Sequence, residues 1–223
     1  MNTDICSMYI VLAAATSFEI QPTIDLLKNG STPAGSLETD VLITGIGALP
    51  TAYALMRQIG RRRPDIVIQA GIAGCFTPGR IGTVLAVKEE VLGDLGVKEG
   101  QDFKTIFDLN LADRNAPPFC NGLLINPHKD LLDLSGLETV RGITINEIST
   151  DKDRISWYQQ NMAPIVESME GGALHFTCLQ ESIPFLQLRS VSNDIGQRDK
   201  SKWDIRSAIA NLNQQLMETI KKL

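Results

Sequence analysis

The tightest constraint on this chain is the run Val166-Glu167-Ser168-Met169-Glu170-Gly171-Gly172. Before it, residues 163–167 read as a short buried strand. After it, Ala173, Phe176, Cys178 and Leu179 fall at helical spacing. Glu170 therefore stands where a strand turns into a helix, at the positive end of the helix dipole, which favours its ionised form. An ionised carboxylate only accepts hydrogen bonds, so it suits two adjacent hydroxyls such as the cis-diol of a ribose. Gly171 and Gly172 let another group approach the backbone closely, where a helix start built for stability alone would favour Ala. The expected guest is a ligand. The plainer alternative is a Glu that only eases a helix N-terminus.

Strands and helices alternate on both sides of this run. Residues 8–14 are apolar enough for a buried strand, and 18–28 follow as a helix with Ile20, Ile24 and Leu27 on one face, capped by Thr16 or Ser17. A strand at 41–43 leads into Thr44-Gly45-Ile46-Gly47 and a helix marked by Ala52, Leu55, Met56 and Ile59. The strand at 65–70 leads into Gly71-Ile72-Ala73-Gly74, read as a second glycine turn. Further strands are expected at 83–87, 123–126, 140–145 and 185–190. A short polar helix at 151–160 is capped by Thr150, and a final helix carries Ile205, Ile209, Leu212, Leu216 and Ile220. This alternation predicts one three-layer α/β domain over residues 1–223. Between 91 and 119 the pattern loosens around Phe103, Phe107, Pro117-Pro118 and Phe119, and a substrate-side or subunit-contact loop is expected.

Several function classes are disfavoured. Lys plus Arg number 21 against 26 acidic residues, and a net charge of -5 argues against nucleic-acid partners. Arg61-Arg62-Arg63 reads as the solvated end of a helix. Pro50 occupies the place of the third glycine that a dinucleotide fingerprint needs after Gly45 and Gly47. Cys6, Cys75, Cys120 and Cys178 lack paired spacing and there are only two histidines, so no metal or cofactor is expected. Cys75 and Cys178 read as buried free thiols of a reducing compartment, His175 as a core histidine and His128 as a helix-start residue. Residues 1–8 lack the features of a signal peptide, and no run of about twenty apolar residues is present, so no membrane partner is expected. The expectation is a cytoplasmic enzyme or binding protein.

The run at 166–172 resembles the ribose-binding Met-Glu motif of the purine nucleoside phosphorylase and nucleosidase superfamily. Pro184 to Asp194 resembles that family's core strand and its base-binding end, and the segments 44–47 and 71–74 resemble its two glycine turns. Ser192-Asn193, with Arg198-Asp199-Lys200 and Trp203 after them, is most similar to futalosine hydrolases of the menaquinone pathway.

The resemblance implies a nucleoside phosphorylase-like fold with a central mixed β-sheet flanked by helices, and a small-molecule nucleoside substrate whose N-glycosidic bond is cleaved by water. Met169 would pack on the sugar and Glu170 hold its hydroxyls, while Glu19 would activate the water. Unaided by the resemblance, Glu19 reads as a solvated first-turn residue. Gly45, Gly47, Ile72, Ala73 and Gly74 would form a wall for base and sugar, and Ile148 would lie against the base.

Nucleosidases acting on adenine-type bases have an Asp where this chain has Asn193. An amide offers both a donor and an acceptor and suits a hypoxanthine-type base. Asp194 takes the acid role if the register differs by one. Arg189 is expected to orient these groups, and Arg198 or Lys200 to meet the benzoate carboxylate of futalosine on a loop that holds Trp203. No arginine lies near residues 13–17 to cradle phosphate, which leaves Arg57, Arg80 or Arg114 to reach in from elsewhere if phosphate is used. The rivals are a methylthioadenosine/adenosylhomocysteine nucleosidase, a 6-oxopurine nucleoside phosphorylase and an inactive nucleoside-binding protein. A homodimer or larger assembly is expected from the resemblance.

Overall fold

The first apolar run forms β1 (Met8–Ala14), and it is covered on both faces, as its unbroken hydrophobic sequence requires. Ile10, Leu12 and Ala14 enter one core with Ile68, Leu188 and Leu216, while Tyr9, Val11 and Ala13 enter another with Leu55, Leu174 and Phe185. This computed structural model describes residues 7–29, 37–100 and 102–223. Cys6 and the residues before it lie outside the described residues.

After β1 come α1 (Ser17–Lys28), β2 (Leu37–Ile43), α2 (Ala48–Arg61), β3 (Ile66–Cys75) and β4 (Val84–Leu92). A hairpin, β5 (Gly96–Glu99) and β6 (Asp102–Thr105), precedes β7 (Leu124–Ile125), α3 (Lys129–Ser135), β8 (Thr139–Thr144) and α4 (Lys152–Asn161). The chain ends with β9 (Val166–Ser168), α5 (Gly171–Gln180), β10 (Phe185–Asp194) and α6 (Ile205–Lys221). The main sheet is mixed. β1 pairs in parallel with β2 and β3, β3 with β10, and β4 with β8, whereas β10 runs antiparallel to β4. Helices lie on either side, α1 and α6 packing together across from α2 and α5. The three-layer α/β arrangement is the one the alternation of elements predicts. Among the described residues no helix is long and apolar enough to cross a membrane.

β3 positions everything that follows. Its first half, Ile66 to Gln69, pairs with β1, but its last residues, Gly74 and Cys75, pair antiparallel with β9. On the other edge β10 follows it from Val67 to Cys75. The edge facing β1 is therefore vacated near Ala70, and a crevice opens where the neighbouring strands part. This is the kind of place where α/β sheets take ligands.

Three expectations need correction. Gly71-Ile72-Ala73-Gly74 is not a turn but the continuation of β3. Its glycines serve side chains crossing the strand: a Cβ at Gly71 would collide with Arg189, and one at Gly74 with Ile195. The cap of α4 is Asp151, whose carboxylate accepts from the Arg154 N–H at 2.8 Å, rather than Thr150. The loose region after Val91 contains the β5–β6 hairpin, and its aromatics pack in edge contacts: Phe103 on Trp157, Phe107 on Phe119.

Leu12 has no solvent exposure and lies where β1, β3 and β10 share one core. Leu12→Ala should lower the unfolding free energy by about 2 to 5 kcal/mol in urea titrations, the range for a buried leucine that leaves a cavity. A loss under about 1 kcal/mol would contradict this assignment of the core.

Candidate active site

A cavity of about 390 Å³ fills the crevice. Its walls come from the ends of separate elements: Ala15 and Thr16 after β1, Ile72 to Gly74 on β3, Glu167 and Ser168 on β9, Met169 and Glu170 between β9 and α5, and Ser192 and Asn193 on β10. The lining is mainly apolar with a few polar groups, as a small-molecule site requires.

Glu170 occupies the N-cap position of α5 and is 6% exposed. Its Oε1 accepts the Gly47 N–H at 3.0 Å, and its Oε2 faces Arg189 Nη1 at 3.4 Å. Gly47 can present that N–H because its φ of 100° belongs to glycine. Arg189, 1% exposed, also donates from Nη2 to Gln69 Oε1 at 2.9 Å. The carboxylate is thus held from behind by a charge and a backbone amide. A carboxylate has about four acceptor positions, so two remain for a ligand.

Glu19 is buried rather than solvated, at 8% exposure. Oε2 accepts from the backbone N–H and the hydroxyl of Thr16, at 3.1 and 3.0 Å, and Oε1 accepts the Ile72 N–H at 3.1 Å. The first bond is half of a capping box, with Thr16 as the cap of α1. The bond from Ile72 uses an amide on the vacated edge of β3. Glu19 consequently lines the cavity with both oxygens fixed.

Asn193 lines the cavity at the end of β10, where its Oδ1 accepts from Ser192 Oγ at 2.9 Å and its Nδ2 donates to the Asp194 carbonyl at 3.0 Å. Asp194, next in the strand, is not among the lining residues; its Oδ1 is buried without a partner. Met169, Ile148, Ile72, Ala73 and Gly74 line the cavity as expected residues of the site, and so does Arg198. Gly45 and Gly47 do not. Ile46 between them faces the space, while Gly47 acts through Glu170. Arg189 stands behind the wall in the middle of β10, because that strand runs on to Asp194 instead of ending at Ser190. Trp203 lines the cavity and donates from Nε1 to the Gln197 carbonyl at 2.8 Å, pinning the loop that carries Arg198; Lys200 does not line it.

The glycines after Glu170 serve a different guest from the one expected. A Cβ on Gly171 would strike Glu90 and Gln187, and one on Gly172 would come within 2.6 Å of Leu92 Cδ2. The visitors are protein side chains, not a ligand. Glu90 is a residue that sequence reasoning missed, since nothing in Lys88-Glu89-Glu90-Val91 marks one carboxylate as buried. It accepts from Gln187 Nε2 at 2.9 Å and from Thr144 Oγ1 at 3.0 Å, and burial pushes its carboxyl up to about 7 against the pull of Gln187 and Arg189. Glu167 was missed as well, although an acidic residue inside an apolar strand was a usable signal. His175 is a core residue: burial drives it down to about 3, and its Nδ1 sits 3.0 Å from the Leu124 carbonyl.

The sequence and fold of this chain are shared with known proteins. The model of the Phosphorylase superfamily matches residues 17–223. A futalosine hydrolase of Thermus thermophilus is 31% identical over 175 residues, covering 77% of this chain and 76% of that protein. A 5'-methylthioadenosine/S-adenosylhomocysteine nucleosidase of an Exiguobacterium species is 23% identical over 201 residues, covering 85% and 82%. Among solved structures, the native futalosine hydrolase of Helicobacter pylori superposes with a TM-score of 0.78 at 17% identity, covering 97% of this chain and 98% of that one.

A carboxyl raised by burial stays protonated in the folded state where the unfolded chain has already released its proton. The stability it contributes is full below the unfolded value and is lost as pH rises through the folded value. For Glu90 that window runs from 4.5 to about 7. The melting temperature of the wild type should therefore fall between about pH 4.5 and about pH 7, and Glu90→Gln should flatten that fall. Parallel curves for the two proteins would contradict it.

Proposed function

Because the chain belongs to the phosphorylase superfamily, we propose that it is a nucleosidase acting on futalosine, releasing hypoxanthine and dehypoxanthine futalosine with water as the nucleophile. The observation that carries this reading is the convergence of Glu19, Glu170 and Asn193, from three separate elements, on one cavity. The identity with the Thermus thermophilus futalosine hydrolase exceeds that with the methylthioadenosine nucleosidases, and supports the same substrate.

In this reading the ribose lies beside Met169 with its hydroxyls on the free positions of Glu170. As the bond to the base lengthens, the sugar becomes oxocarbenium-like, and the nearby carboxylates stabilise that charge. Glu19, fixed by Thr16 and Ile72, orients the attacking water. Asn193 provides an uncharged hydrogen bond to the departing base, where an adenine-specific site would use an acid. Arg198 faces the 5'-substituent, whose carboxylate it would pair with.

Phosphate is disfavoured as nucleophile. Arg80 is committed to Glu138 and Arg114 to Asp108, Arg57 is exposed on α2, and none of the three lines the cavity. Leu49 and Tyr53 on α2 are exposed, as are Phe18 and Ile46 at the cavity; exposed apolar side chains of this kind support a homodimer or larger assembly. A cytoplasmic setting fits the buried thiols of Cys75 and Cys178.

Purified protein should release hypoxanthine from futalosine at the same rate with and without phosphate, and should act far more slowly on methylthioadenosine and inosine. Base release that requires phosphate would favour a phosphorylase, and a preference for methylthioadenosine would favour the adenine-type nucleosidase. Glu19→Gln should reduce turnover by about 10² to 10⁴-fold while hypoxanthine binding persists. Unchanged turnover would remove the water-orienting role.

A further inference from the structure

Asn213 is a polar residue on the buried face of α6, among Ile209, Leu212, Leu216 and Ile220, and is 4% exposed. All of its hydrogen-bonding capacity is used. Its Oδ1 accepts the Thr23 N–H at 3.0 Å and the Thr23 hydroxyl at 2.7 Å. Its Nδ2 donates to the Glu19 carbonyl at 2.9 Å and to the Ile209 carbonyl at 2.7 Å. An amide has two donors and two acceptor positions, so these bonds saturate it and fix which way it points.

Two of the partners belong together. In an uninterrupted α-helix the N–H of Thr23 would donate to the carbonyl of Glu19, four residues back. Here the Asn213 amide takes both groups, one at each end, and so enters the hydrogen-bond ladder of α1. The helix leaves regular geometry at that step, where Ile20 has a φ of -122° and a ψ of 15°. Pro22 prepares the break, because it has no N–H for the Phe18 carbonyl and its ring crowds that carbonyl. A proline and an inserted side chain are both recognised causes of a helix kink.

Stability alone does not call for this arrangement. Thr23 and Glu19 could bond to each other, and an apolar residue at position 213 would match its face of α6. What the insertion adds is a hold on the main chain of Glu19, whose carboxylate is already held by Thr16 and Ile72. Glu19 stands just ahead of the kink, so its placement is set by α6 as well as by the rest of α1. On the other side of the cavity, the Asp204 N–H at the N-cap of α6 donates to the Ser192 carbonyl, beside Asn193, at 2.9 Å. One helix is thereby tied to both sides of the site.

We propose that Asn213 is a positioning residue for the reaction, its amide holding the first turn of α1 apart from the rest of the helix so that the Glu19 carboxylate faces the attacking water. This inference rests on reading Glu19 as the water-orienting group and is independent of which base the cavity selects.

Steady-state base release from futalosine and from methylthioadenosine tests the assignment in the wild type, Asn213→Leu, Glu19→Gln and the double variant. Asn213→Leu keeps the volume, removes the amide and leaves Thr23 free to bond Glu19 directly. It should lower kcat by about 10- to 100-fold, the scale of a misplacement of about 1 Å, while KM and the Kd of hypoxanthine stay within about 3-fold. In the Glu19→Gln background the same change should cost less than about 3-fold, because a residue that acts through Glu19 then has nothing left to position. Thr23→Val removes only the hydroxyl that anchors the amide, and should lower kcat by about 3- to 10-fold, the scale of one neutral hydrogen bond. The proposal is overturned if folded Asn213→Leu keeps the wild-type kcat, or if it lowers kcat by the same factor with and without the Glu19 carboxylate. Where Asn213→Leu does not fold, an unchanged kcat in Thr23→Val overturns it. Slow turnover by Glu19→Gln beside normal turnover by Asn213→Leu would reject Asn213 alone, whereas full turnover by Glu19→Gln would reject the reading of Glu19 and this inference with it. Should futalosine resist the wild type, the substrate reading fails, and the same comparison on methylthioadenosine decides the role of Asn213.

Discussion

A guanidinium with almost no access to water organises this molecule. Arg189 is placed by β10, reaches across β3 above Gly71, and meets Glu170 at the start of α5 and Gln69 within β3. Burying two charges carries a large desolvation penalty that mutual attraction offsets only when further hydrogen bonds complete the set. Here Gln69 and the Gly47 amide supply one each, while Arg189 Nε stays without a partner among the described residues. Three conditions follow at once: glycine at 71, a left-handed backbone at 47, and a helix that begins one residue after Glu170. Each of these was fixed by a single pair of charges, and together they place the carboxylate at the cavity wall.

Much of the fold was legible in the sequence. β1 was found at its full extent because both its faces are buried, and α6 because its apolar residues keep one face over the whole helix. Glu170 at a strand-to-helix junction was likewise readable from local pattern alone. What failed was the meaning of glycine. Gly71 and Gly74 looked like a turn, and Gly171 and Gly172 like room for a ligand, whereas all four admit side chains from distant elements. A glycine states that something comes close without stating what. The burial of Glu90 was invisible for the same reason, since it depends on space left by Gly142 and Gly171 on other strands and helices. The short helix α3 went unforeseen except for His128, which stands at its N-cap as a helix-start residue.

The cavity exists because β3 changes partners along one edge. Where β1 leaves and β9 has not yet arrived, backbone groups lack ladder partners, and the Ile72 amide turns to Glu19 instead. An unpaired stretch of edge inside a protein is costly unless a side chain or a ligand completes it. The site residues are therefore gathered by a defect in pairing, and their distance in sequence, from 19 to 193, reflects how many elements end at that one place.

The two halves of the cavity are built to different standards of commitment. The sugar end is anchored in the interior: Glu170 cannot be altered without stranding Arg189, and Arg189 cannot be altered without unsettling two strands. Asn193 leans only on its immediate neighbours in the chain, and Glu167 on one loop amide. A lineage with this architecture would inherit its grip on ribose along with its ability to fold, while remaining free to drift from one heterocycle to another by exchanging a residue or two that the scaffold scarcely notices.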